Sequence, residues 1–166
     1  MTLNAKECRL VKELKGQEEL CIEKYSKYAS EAGDGQLKEL FTGIASMEKQ
    51  HLSTLNSIEG GVVPTTSGSG NSTGSGSGSS GGSVSSGKLP TSFSKAPASA
   101  DCEKDRFLCT DLLTTEKGAS HLYDTCIFEF RDEEVRQALN HIQKEEQEHG
   151  KLLYDYMKVN GMYEAN

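Results

Sequence analysis

Glu48-Lys49-Gln50-His51 and Glu146-Gln147-Glu148-His149 are two copies of one short pattern, a glutamate followed three positions later by a histidine. On an α-helix this spacing sets the carboxylate and the imidazole on one face, a turn apart. A third residue stands in register with both copies: Glu18 precedes His51 by 33 positions and Glu116 precedes His149 by 33. The two halves of the chain therefore repeat with an offset of 98 (18 to 116, 51 to 149).

The same offset lays Tyr25 on Tyr123, Glu31 on Glu129, Asp34 on Asp132 and Ile44 on Ile142, and it lays Leu37 and Phe41 on Val135 and Leu139. A repeat of this length predicts two helix-turn-helix units packed against each other.

Apolar periodicity fills in the helices. Asn4 followed by Glu7 reads as a capping box, and Leu10, Val11, Leu14, Cys21, Ile22, Tyr25, Tyr28, Ala29 and Ala32 recur at helical spacing behind it. Glu18 interrupts that stripe, a costly place for a carboxylate unless it is paired or bound to a metal. The helix is expected to end near Gly33-Asp34-Gly35, with a glycine as C-cap and Asp34 as the next N-cap. The second helix carries Leu37, Leu40, Phe41, Ile44, Leu55 and Ile58, broken only by Glu48 and His51. In the second half, Phe107, Leu108, Leu112, Ala119, Leu122, Tyr123, Cys126, Ile127 and Phe130 surround Glu116. Val135, Ala138, Leu139, Ile142, Leu153, Tyr156 and Met157 surround Glu146 and His149, behind an N-cap at Asp132. The fold class is all-α: an antiparallel four-helix bundle of two helical hairpins, residues 1–59 and 101–166, that form one bundle.

Residues 60–100 are Gly/Ser-rich and read as a flexible linker, because glycine and serine bury no apolar surface. A coil of some 40 residues spans roughly 35 Å, and a 24-residue helix is about 36 Å long. The linker can therefore serve as a long crossover between parallel second and third helices. The same looseness lets two chains exchange halves in a swapped homodimer.

The formal net charge of −7 argues against nucleic acid and against an anionic membrane surface as partners. The N-terminal stretch has no apolar signal core and no run reaches transmembrane length, so the expected compartment is the cytoplasm. Five cysteines with no C-x-x-C indicate no disulfide framework. Cys8, Cys21, Cys102, Cys109 and Cys126 read as small buried hydrophobes.

Around His149 three acids compete as its partner, and the repeat chooses among them: Glu146 aligns with Glu48, whereas Glu145 aligns with Met47 and Glu148 with Gln50. The candidate ligands are Glu18, Glu48, His51, Glu116, Glu146 and His149. A glutamate from each of two helices plus a Glu-x-x-His from each of the other two is the ligand set of di-iron and di-manganese carboxylate bundles. Carboxylates can bridge two ions and imidazoles can cap each one, and a mixed oxygen and nitrogen shell suits iron or manganese. Adjacent ferrous ions could share the electrons needed to reduce dioxygen or peroxide. The competing reading is a set of solvated charged helix faces; it accounts for one such motif more readily than for two in register, each interrupting an apolar stripe. His121 and His141 align with Glu23 and Gly43 and are assigned to solvent. Tyr25 and Tyr123, two turns beyond Glu18 and Glu116, are either core aromatics or hydrogen-bond donors to ligating carboxylates.

Gln17-Glu18-Glu19-Leu20, Lys24-Tyr25 and Tyr28-Ala29-Ser30 resemble the first helix of rubrerythrins, within the ferritin-like superfamily. Thr115-Glu116-Lys117, Tyr123 to Phe130 and Leu139 to Gly150 closely resemble the spore coat protein F-like proteins of spore-forming Firmicutes. The resemblance implies a ferritin-like bundle with two iron or manganese ions as cofactor, located in the spore coat beside other coat proteins. Ala119 stands where rubrerythrins carry an additional glutamate, and the sequence holds no C-x-x-C pair of the rubredoxin type, so no rubredoxin module is expected. Three functions follow as expectations: a di-metal coat protein that oxidises ferrous iron with dioxygen or peroxide, a structural coat component, and an intracellular ferroxidase or peroxidase.

Overall fold

The structure, a computed structural model, describes residues 2–64 and 89–163. Four helices account for most of them: α1 (Ala5–Glu31), α2 (Gly35–Glu59), α3 (Cys102–Ile127) and α4 (Glu133–Val159). Among the described residues there is no strand.

Each helix begins on a polar cap. Asn4 Oδ1 accepts from the amides of Lys6 and Glu7 at 2.8 and 2.9 Å, and Glu7 Oε2 accepts from the Asn4 amide at 2.8 Å, completing the capping box. Asp34 caps α2 through Gln36 N, Asp101 caps α3 through Lys104 N, and Asp132 caps α4 through the amides of Glu134 and Val135. These acceptors satisfy amides that have no partner inside the helix, and the acids sit at the positive end of the helix dipole.

The end of α1 differs from the expected glycine C-cap. Ala32 leaves the helix in an extended conformation (φ −56°, ψ 140°), and Gly33 is not left-handed. Glycine is required there for a different reason: a Cβ on Gly33 would lie 2.8 Å from the backbone nitrogen of Asp101. Among the described residues the left-handed glycines are Gly61 and Gly161, just past α2 and α4, where Val62 N and Met162 N reach back to the carbonyls of Ser57 and Met157.

Side-chain contacts order the helices. Lys15 of α1 binds Glu59 of α2 at 2.6 Å and the Tyr25 ring packs edge-on against Phe41 at 5.8 Å, so early α1 lies beside late α2. Gln143 of α4 donates to the Ser120 carbonyl of α3 at 2.9 Å, and Lys24 of α1 pairs with Asp111 of α3 at 2.8 Å. The interior holds two apolar clusters. One joins Cys21, Tyr25, Phe41, Ile44, Leu112 and Tyr156; the other joins Leu14, Leu55, Tyr123, Leu139 and Ile142. The 98-residue offset carries Tyr25 and Phe41 of the first cluster onto Tyr123 and Leu139 of the second.

Two expectations change. Phe107, expected on the inner face of α3, is 65% exposed, while Asp105 is fully buried. Asp105 is held inside because it accepts from the amides of Gly33 and Asp34 at 2.7 and 3.1 Å, tying the start of α3 to the turn between α1 and α2. Cys21, Cys109 and Cys126 are buried as expected, but Cys102 is exposed and Cys8 half-buried.

Of the Gly/Ser-rich tract expected to be a flexible linker, residues 65–88 lie outside the described residues. Residues 89–100 are a strap docked on the bundle. Leu89 and Phe93 pack on the first cluster, with the Phe93 ring edge-on to Tyr156 at 5.5 Å. Gln36 Oε1 accepts from Ser94 N at 2.9 Å and Asn160 Oδ1 accepts from Ala96 N at 2.7 Å. Leu89 and Phe93 supply the apolar surface whose burial drives docking, and the Gly/Ser run has none to offer.

Candidate metal centre

Between the two apolar clusters lies a polar layer. Glu18 comes from α1, Glu48 and His51 from α2, Glu116 from α3, Glu146 and His149 from α4, and each is at most 2% exposed. The helical stripe accounts for this burial: each of these residues occupies a core position in its helix, and each Glu-x-x-His pair is flanked along the stripe by apolar residues, Ile44 and Leu55 on α2 and Ile142 and Leu153 on α4.

The layer divides into two overlapping groups. Ligand-capable atoms of Glu18, Glu48, His51 and Glu146 all lie within 4.8 Å of one another, and so do those of Glu48, Glu116, Glu146 and His149. Glu48 and Glu146 belong to both groups, whereas Glu18 with His51 and Glu116 with His149 each belong to one. All six come from one chain, so the cluster is complete without exchange of halves.

The contacts obey the repeat. His51 Nδ1 is 2.9 Å from Glu146, and its counterpart His149 Nδ1 is 3.0 Å from Glu48. The two imidazoles stack with centroids 5.7 Å apart. Tyr25 donates to Glu116, and its counterpart Tyr123 donates to Glu18. Both tyrosines are thus core aromatics and donors to the carboxylates at once, the two roles left open by the sequence.

One residue breaks the symmetry. Glu145 Oε2 lies 3.0 Å from His51 Nε2, on the side facing away from the other carboxylates. The repeat had set Glu145 aside because it aligns with Met47. The sequence signal for Glu145 is its i, i+4 spacing to His149, a different histidine from the one it meets. His121 and His141 are exposed, as assigned.

Burial and crowding of like charges dominate the electrostatics of the layer. Burial pushes Glu18 up to about 7, against the pull of its His51 hydrogen bond. Burial, then the neighbouring charge of Glu146, holds Glu116 well above the ordinary carboxylate range, and burial likewise raises Glu146. Burial would lower His51, but hydrogen bonds to Glu145, Glu146, Glu18 and Glu48 outweigh it and hold the imidazolium well above its usual value. A single His51 Nδ1–H faces three carboxylates, Glu146 at 2.9 Å, Glu48 at 3.0 Å and Glu18 at 3.5 Å, and can serve only one of them well. Among the described residues seven buried polar atoms make no well-directed hydrogen bond, although some lie within 3.0 Å of an opposing group across the layer: both oxygens of Glu146, one oxygen each of Glu18, Glu48 and Glu116, and both ring nitrogens of His149. Orphaned buried carboxylates are expensive, and a multivalent cation satisfies them together. The donor set fits iron or manganese in type and number.

Fold and site define a class: a four-helix bundle with a buried carboxylate–imidazole layer across its middle. Residues 104–166, which take in nearly all of α3 and the whole of α4, match the family model of the Coat F domain. The matched segment, less than half of the chain, is similar to the Coat F domain and includes Glu116, Glu146 and His149. No curated protein and no solved structure matches the chain. Among the described residues no helix is long and apolar enough to cross a membrane.

Proposed function

We propose that this chain is a di-metal carboxylate protein of the spore coat F-like type, a ferritin-like bundle of two antiparallel hairpins holding a pair of iron or manganese ions. The observation that carries the reading is the cluster of orphaned carboxylate and imidazole atoms at the centre of an otherwise apolar core. Glu18 with His51 would hold one ion, Glu116 with His149 the other, and Glu48 and Glu146 would lie between the two. The order of contacts, with early α1 beside late α2 and α1 paired to α3, supports the ferritin-like arrangement.

Bound as the ferrous pair, the metal would supply two electrons for the reduction of dioxygen or peroxide. The chain's own contribution is positional. Tyr25 and Tyr123 orient Glu116 and Glu18, Glu145 fixes the ring of His51, and the apolar clusters above and below exclude water. The Coat F match supports a place in the spore coat among other coat proteins.

The test is to load the protein with ferrous iron anaerobically and follow oxidation on mixing with dioxygen or peroxide. Oxidation faster than that of free ferrous iron, lost when Glu48 and Glu146 are changed to alanine, supports the redox reading. Bound iron that neither oxidant touches would leave a metal-stabilised structural coat component, which the Coat F match favours as the second reading.

A further inference from the structure

A pocket of about 490 Å³ opens between α3 and α4, and its wall includes Glu116 and Glu146 of the buried layer. We propose that this pocket is the entrance by which a hydrated divalent cation reaches the Glu/His layer, and that Gly150 and Ser120 keep it open. The inference rests on the metal reading above.

Space and charge both suit a hydrated ion. Six waters at about 30 Å³ each need roughly 200 Å³, well within the pocket. Asp124 stands in the lining with Glu116 and Glu146, and Lys117 is the only permanently cationic residue there. Three carboxyl groups against one permanent cation make the lining suited to a cation.

The repeat supplies the argument for Gly150 and Ser120. The offset of 98 lays Gly150 on Leu52 and Ser120 on Ile22, so the α1–α2 side carries two branched apolar side chains, both half-buried, at the equivalent places. Nothing in the backbone demands glycine at 150: it is mid-helix and not among the left-handed glycines. A Cβ there would meet Leu113 Cδ1 at 3.6 Å and Glu116 Cβ at 3.8 Å, ordinary contact distances. Glycine inside a helix costs about 1 kcal/mol relative to alanine. The structural consequence of Gly150 is the space its missing side chain leaves beside Glu116.

The test uses the full chain and manganous ion. Uptake is followed by loss of the free-ion electron paramagnetic resonance signal, and release by transfer to excess chelator. Gly150→Leu and Ser120→Ile, which write the α1–α2 residues into the α3–α4 side, are expected to slow uptake and release together by about tenfold or more. The number of ions bound at equilibrium should stay that of the unmodified protein. Leu52→Ala, on the other side, should slow neither step. Thermal melting checks folding, and Ser120→Ile carries the test if Gly150→Leu fails to fold. Unchanged rates in a folded plugged variant that still binds its ions would overturn the entrance while leaving the metal centre standing. An unmodified protein that binds no ion would overturn both.

Discussion

Tyr25 of α1 donates its phenolic hydrogen to Glu116 of the neighbouring α3, linking the first hairpin's core to a carboxylate of the second. Tyr123 returns the same bond to Glu18, so each half of the repeat orients a candidate ligand of the other. Neither hairpin alone could assemble such a layer, and the chemistry of the site is therefore a property of the joined bundle.

Replacing Tyr25 with phenylalanine leaves a second Glu116 oxygen without a partner in the core. The metal-free protein should lose about 1–3 kcal/mol of stability, and metal affinity should fall roughly 10- to 100-fold. Tyr123→Phe should do the same through Glu18. Melting curves with and without added manganese check both, and an affinity unchanged in either variant would remove the orienting role.

Within the buried layer Glu145 touches His51 alone, its other partner being the exposed His141 at 3.5 Å, so its removal should affect one half of the layer. In Glu145→Gln, a two-step metal titration is expected to show one affinity lowered by about tenfold and the other unchanged. Equal weakening of both steps would mean that Glu145 acts on the layer as a whole.

The capping glutamate makes a pH prediction. The Arg131 side-chain hydrogen bond, opposed by burial and helped by the Asn4 and Arg131 amides, draws Glu7 from 4.5 down to about 2. Between those values the unfolded chain binds the proton and the native chain does not. The stability Glu7 contributes is therefore complete above about pH 4.5 and is lost as pH falls through about 2. Compared in chemical denaturation, the unmodified protein should exceed Glu7→Gln by a constant margin near neutrality that shrinks steadily over this interval.

The docked strap predicts unequal effects at two glycines. A Cβ on Gly33 would press on the Asp101 backbone at 2.8 Å, whereas a Cβ on Gly43 would meet the Leu89 side chain at the same distance. Backbone cannot yield as a leucine tip can, so Gly33→Ala should destabilise by about 1–3 kcal/mol and Gly43→Ala by less. Differential scanning calorimetry distinguishes them.

The helices are legible because Asn4, Asp34 and Asp132 mark their starts and apolar stripes at helical spacing follow each of them. The six buried polar residues stood out because they interrupted those stripes, and the repeat separated Glu146 from its acidic neighbours. Three features were hidden, each for a tertiary reason. Asp105 is buried because two amides of a distant turn reach it, and Phe107 points outward on the same turn of α3. The strap from 89 to 100 was merged with the Gly/Ser run because Leu89 and Phe93 are too few to make a periodic signal. Glu145 has no counterpart in the first half, so the symmetry that located the other residues concealed it.

The most direct measurement is metal content by mass spectrometry on protein purified without chelator, beside a variant with Glu48, His51, Glu146 and His149 all changed to alanine. The account predicts about two iron or manganese ions per chain, absent from the variant while its helices persist. No metal in the unmodified protein, even after anaerobic loading with ferrous iron, would contradict it and leave the buried layer as a structural element of a coat protein.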